Sequence, residues 1–123
     1  MAGQPAGKRI LIVEDELMIR MLLEDMLAEL GYTIAAEVGR LDEALRAVNN
    51  IELDVAILDV DVGGEPISPV ADALAARGTP FVFATGYGER GLPEAHRDRP
   101  ILKKPFQLDG LKQTLEKAIK PSE

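Results

Sequence analysis

Ile10-Leu11-Ile12-Val13-Glu14-Asp15 and Val55-Ala56-Ile57-Leu58-Asp59 decide how this chain is read. Each is a run of four apolar residues that stops on a carboxylate. Runs that are apolar throughout suit strands buried on both faces, as in a parallel sheet covered by helices. Two further runs behave alike: Phe81-Val82-Phe83-Ala84 stops at Thr85-Gly86, and Ile101-Leu102 stops near Lys104-Pro105-Phe106. Side by side in one direction, these strands would deliver three acids, a hydroxyl and an amine to one edge. That is the edge at which open α/β sheets bind ligands. Such a set suits Mg²⁺, which takes oxygen ligands, together with a phosphoryl group.

Working outward, helical patterns fill the gaps. Met18, Ile19, Leu22, Leu23, Met26, Leu27 and Leu30 recur at three- and four-residue spacing, and Gly31 supplies a stop. The methionines Met18, Met21 and Met26 read as core-facing. A strand follows near residues 33–38, then a helix carrying Leu41, Ala44, Leu45 and Val48. After Asp59, residues 60–65 lead into a helix for which Ser68-Pro69 is a cap and first-turn pair, and Gly78 follows its end. Residues 85–100 are dense in glycine, proline and charge and predict at most a short or frayed helix. Leu108, Leu111, Leu115, Ala118 and Ile119 share one face of a closing helix. The expectation is a flavodoxin-like, doubly wound five-stranded parallel sheet with five helices, the fourth short or frayed. Among known doubly wound arrangements, the order 2-1-3-4-5 suits five βα units with right-handed crossovers. Its switch point falls between the strands that end in Glu14-Asp15 and Asp59.

Composition bounds the function. The 123 residues, 46% hydrophobic, allow one domain with a single core. The expected organisation is a disordered lead-in over 1–7, one domain over 8–120 and a tail over 121–123. The N-terminal residues lack the apolar stretch of a signal peptide, and no run approaches the roughly 20 apolar residues of a membrane span. With no cysteine there is no disulfide or thiolate site, so a cytoplasmic location is expected. A net charge of −7 argues against nucleic-acid partners, which are held by clusters of Lys and Arg.

Val13-Glu14-Asp15-Glu16, Leu58-Asp59, Ala84-Thr85-Gly86 and Lys104-Pro105-Phe106, in that order at strand ends, resemble the receiver domain of two-component response regulators. Each motif alone is weak; the four together are specific, and the resemblance spans residues 8–120. Phe83-Ala84-Thr85-Gly86-Tyr87-Gly88 is similar to a subgroup named for its Phe-Ala-Thr-Gly signature. Its members often stand alone and are usually partnered by histidine kinases of the HWE type. The resemblance implies a response regulator that takes a phosphoryl group from a histidine kinase. It would then signal to a downstream protein through contacts, or act as a phosphate sink, without turning over an independent substrate.

The resemblance also implies roles. Asp59 is the phosphoacceptor, its carboxylate being a competent nucleophile toward phosphorus. Asp15 ligates Mg²⁺ directly, Glu14 acts through the metal's water shell, and Asp59 joins them. Asp61 offers its backbone carbonyl. Thr85 donates its hydroxyl to a phosphoryl oxygen, Lys104 supplies a point charge, and Pro105 is a cis-peptide candidate. Three clustered acids repel, so at least one pKa rises and metal-free protein loses stability. Plainer readings stand beside these: Glu14-Asp15 as helix-capping acids, Asp61 and Lys103 as solvated side chains. The sole histidine, His96, sits in a charged segment and reads as solvated.

One position departs from the family. Many receivers carry Tyr or Phe three residues before the site lysine, as a switch; here that residue is Ile101. Tyr87 is a candidate substitute, and the glycine-rich segment around it a candidate output surface. Two other classes compete. Asp59-Val60-Asp61-Val62 also fits the nucleophile motif of haloacid-dehalogenase-like phosphatases, although there it follows the first strand. The other is a docking module that never takes phosphate, a role for which receivers usually lose one of the acids or the lysine retained here.

Overall fold

The computed structural model describes residues 7–86 and 91–119. Tyr87, most of the expected lead-in and the expected tail lie outside them. Five strands form one parallel sheet: β1 (Arg9–Val13), β2 (Thr33–Val38), β3 (Val55–Asp59), β6 (Phe81–Thr85) and β7 (Ile101–Lys103). Between β3 and β6 lies a separate antiparallel ribbon, β4 (Asp61–Val62) with β5 (Glu65–Pro66). The sheet order is β2-β1-β3-β6-β7, which is 2-1-3-4-5 when only the sheet strands are counted. Among the described residues, four α-helices cover the sheet: α1 (Leu17–Leu30), α2 (Leu41–Asn50), α3 (Ser68–Ala76) and α4 (Leu108–Ile119). Where the fourth of five helices was expected, short or frayed, a 3₁₀ turn stands at Glu94–His96.

Alternation along the strands explains the two-layered core. Leu11, Val13, Ala56, Leu58, Phe81 and Phe83 face one way, onto Ala44 and Val48 of α2 and Val70 and Leu74 of α3. Ile10, Ile12, Val55, Ile57, Val82 and Ala84 face the other way, onto Leu23 and Leu27 of α1 and Leu111 and Leu115 of α4. Each central strand therefore buries both faces, which is why its sequence is apolar without a break. Gly31, at φ +94°, reverses the chain after α1 in the left-handed conformation that glycine adopts without steric cost.

Three local expectations are corrected. Ser68 is the first helical residue of α3 and makes no side-chain cap; the cap position belongs to Ile67, and Pro69 stands in the first turn. Met18 and Met21 do not face the core: Met18 is 82% exposed, and Leu17, Met21 and Leu22 are exposed beside it. Ten of the fourteen residues of α1 are apolar, more than the one face against the sheet can cover. His96 is buried, not solvated. Its Nε2–H donates to Asp72 Oδ1 at 2.8 Å, since a carboxylate only accepts. Its ring stands edge-on to Phe81, with centroids 5.5 Å apart, and the Arg99 guanidinium lies 4.2 Å from the Phe81 centroid. Together with buried Leu92, these contacts hold residues 92–99 against α3 and β6. Among the described residues no helix is long and apolar enough to cross a membrane.

Candidate functional site

Four of the five sheet strands end at the candidate site. Glu14 follows β1 directly, and its N–H continues the ladder to the Val38 carbonyl at 3.0 Å. Asp15 comes next, in the bend before α1. Asp59 closes β3 and Thr85 closes β6, both buried. Lys104 lies one residue beyond β7, its N–H donating to the Thr85 carbonyl at 3.1 Å. The Lys104–Pro105 peptide is cis. Parallel alignment thus gathers residues far apart in the chain at the C-terminal edge, beside the point where the strand order reverses.

The geometry is close. Glu14, Asp15 and Asp59 each bring a carboxylate oxygen to within 4.8 Å of the others. Lys104 Nζ lies 3.2 Å from Glu14 Oε1 and 3.7 Å from Asp59 Oδ2. The other Glu14 oxygen accepts the Glu16 N–H at 3.1 Å. Asp15 is exposed, and its Oδ2 accepts the Gly63 N–H at 3.0 Å, across from the ribbon. The Asp61 side chain is exposed. The sequence singled out these five residues, Glu14, Asp15, Asp59, Thr85 and Lys104, and the fold brings them to one strand-end edge. It did not single out Gly63, although a Gly-Gly pair between two extended dipeptides is itself a hairpin signal.

Burial gives the cluster its electrostatic character. Glu14, 1% exposed, is pushed from 4.5 up to about 7, chiefly by desolvation and then by the charge of Asp59; the Glu16 N–H and Lys104 pull the other way. Asp59 is also raised, first by burial; Lys104 is the largest opposing influence. The three acids outnumber the one ammonium, so the cluster is short of positive charge. Three converging carboxylate oxygens with unmet charge fit a hard divalent cation of the Mg²⁺ kind.

The model of the response regulator receiver domain matches residues 10–116. The chain belongs to that family. As a receiver domain it is 35% identical over 122 residues to the transcriptional regulatory protein PdtaR of Mycobacterium tuberculosis. That match takes in 96% of this chain but spans only 60% of the relative's length. The solution structure of SdrG from Sphingomonas melonis Fr1 is 45% identical, with a TM-score of 0.84, covering 98% of this receiver and all of that chain. The receiver domain of the sensor histidine kinase PA1611 from Pseudomonas aeruginosa PAO1 is 26% identical, with a TM-score of 0.80, over 93% of this receiver and 98% of that chain. That structure has a magnesium ion coordinated in its active-site cleft. The family is one of signalling domains, and the acceptor candidate ends the third strand of the chain, whereas the phosphatase motif follows the first.

Proposed function

We propose that this receiver domain accepts a phosphoryl group on Asp59 from a phosphohistidine of a histidine kinase, of the HWE type, and passes the signal on by protein contacts. The observation that carries this is the position of Asp59: a buried strand-end carboxylate 3.7 Å from the Lys104 ammonium, inside a triad of acids.

The chain's own residues account for most of the chemistry. One Asp59 oxygen attacks phosphorus and forms a P–O bond as the P–N bond to the kinase imidazole breaks. The released imidazole nitrogen keeps the electron pair. Lys104 stands where it offsets charge on the moving group, and the backbone bond from its N–H to Thr85 ties β7 to β6 at that end. Thr85 supplies the hydroxyl for a phosphoryl oxygen. Asp15, Glu14, Asp59 and the Asp61 carbonyl would hold Mg²⁺, which supplies charge neutralisation for the transferring group. Water later cleaves the acyl phosphate, returning inorganic phosphate and restoring the carboxylate. Burial suits this task, because positioning and electrostatics carry phosphoryl transfer.

Two surfaces fit the partners. Leu17, Met18, Met21 and Leu22 form an exposed apolar patch on the first turns of α1, next to the site, and suit docking of the phosphodonor kinase. The downstream protein reads the β6–β7 connection, which leaves β6 directly after Thr85. The beryllofluoride-activated conformation solved for SdrG, 45% identical to this chain, agrees with a phosphoryl-driven change.

The test is incubation with Mg²⁺ and acetyl phosphate, followed by intact mass beside Asp59→Asn. A phosphate-sized gain that needs Mg²⁺ and vanishes in the variant supports the reading. No gain from acetyl phosphate or from phosphorylated kinase leaves docking without phosphate as the function.

A further inference from the structure

The ribbon of β4 and β5 is two residues deep on each side, pairing Asp61 with Pro66 and Val62 with Glu65. Its turn is Gly63-Gly64, with φ of +60° and +84°. Positive φ at both central residues marks the two-residue turn whose twist matches paired strands. In such a turn the first central N–H takes no part in the ladder. Here that N–H does have a partner: Gly63 donates to Asp15 Oδ2 at 3.0 Å, 48 positions away.

We infer that Gly63 is a positioning residue for the cation site, its backbone N–H fixing the carboxylate of Asp15 for metal capture. The inference rests on the reading of the acid triad as a Mg²⁺ site. Asp15 differs from its neighbours in needing such help. Glu14 and Asp59 are buried, held between strands and Lys104, whereas Asp15 is exposed in a bend. Its carboxylate would otherwise sample several rotamers. A carboxylate has two oxygens, so one that takes an N–H leaves the other for a cation. Hydrogen bonds of this kind orient metal-ligating carboxylates, and losing one typically weakens metal binding ten-fold or more.

The geometry also explains why glycine stands at position 63. Nothing lies within 4 Å of a Cβ added there, so space is not the constraint; the positive φ is. Proline at 63 would fail twice, lacking the N–H and being locked at negative φ. The ribbon ties two requirements together: the turn shape presents the N–H, and the N–H reaches the acid that follows β1.

Side-chain substitutions would disturb the turn along with the bond, so the test alters one atom. The full chain, which has no cysteine, is assembled by ligation at alanines such as Ala56. Gly63 is replaced by glycolic acid, which exchanges the N–H for an oxygen and keeps the freedom in φ. A second synthetic protein carries the same exchange at Gly64. Mg²⁺ affinity is read by calorimetry, with no phosphorylation involved. The expected result is binding about ten-fold weaker for the ester at 63 and unchanged for the ester at 64. Unchanged affinity at 63, or an equal loss at both positions, would overturn the role of the Gly63 N–H. Failure of the unmodified chain to bind Mg²⁺ would instead overturn the reading of the site beneath it.

Discussion

Kept free of divalent cations, the protein should lose stability as the pH rises from about 4.5 to about 7. Glu14 sets the sign. In the folded state it holds its proton up to about 7, against 4.5 for an ordinary glutamate, because burial disfavours its charged form. Between those values the native chain binds more protons than the unfolded chain, so unfolding free energy falls with rising pH. The contribution is fully present below 4.5 and gone above about 7. At roughly 1.4 kcal/mol per pH unit, the displacement of Glu14 amounts to about 3 kcal/mol. Asp59, raised by the same burial, acts in the same direction. So does Glu37 on β2, raised to about 7 by burial and by a hydrogen bond with Glu24, although its part-exposed carboxyl is screened and contributes less. The assay is urea unfolding in EDTA at pH 5, 6, 7 and 8, for wild type, Glu14→Gln and Glu37→Gln. Glu14→Gln should flatten most of the slope and Glu37→Gln little of it. Millimolar Mg²⁺ should restore stability at pH 8 in wild type. Stability that stays level or rises between pH 5 and 7 in EDTA refutes the argument, as does a wild-type slope in Glu14→Gln.

Three other outcomes follow from particular contacts. Lys104→Met removes the ammonium 3.2 Å from Glu14 and 3.7 Å from Asp59, and should slow acetyl-phosphate labelling about 10²-fold in an intact-mass time course. Met18→Asp alters a side chain that is 82% exposed, so urea stability should change by less than about 0.5 kcal/mol. The same variant should take phosphate from acetyl phosphate normally and from a phosphorylated kinase slowly; equal rates from both donors would remove the α1 patch from the docking surface. His96→Ala deletes a buried ring packed on Phe81 and the N–H given to Asp72, and should cost about 2 kcal/mol by urea unfolding.

The sheet was legible because burial on both faces leaves a plain trace: strands without polar interruption, each stopping where the chain meets solvent. The candidate site was legible for the same reason, since Glu14, Asp59 and Thr85 are the first polar residues after those runs. What escaped the sequence depends on contacts between distant segments. The partner of His96 is Asp72, 24 positions upstream, and nothing local to residues 91–100 announces that contact. The exposure of Met18 and Met21 depends on how much of α1 the sheet covers, which periodicity alone does not measure. The ribbon has strands of two residues, too short for any alternation to register, and Asp61 and Val62 read as an approach to α3. The start of α3 differs by a single residue, the ordinary latitude of helix ends.

Glu14 and Lys104 are 90 positions apart, yet they touch. No fragment of the chain owns the candidate site: β1, β3, β6 and β7 must all be docked before the ammonium meets the acids. Intermediates in which β7 or β1 is still detached would hold ordinary solvated carboxylates with no special affinity for a phosphoryl group. If Asp59 takes phosphate as proposed, competence to be labelled is an all-or-none reporter of completed assembly. On that reading, a chain emerging from synthesis takes no phosphoryl group until the final strand has joined.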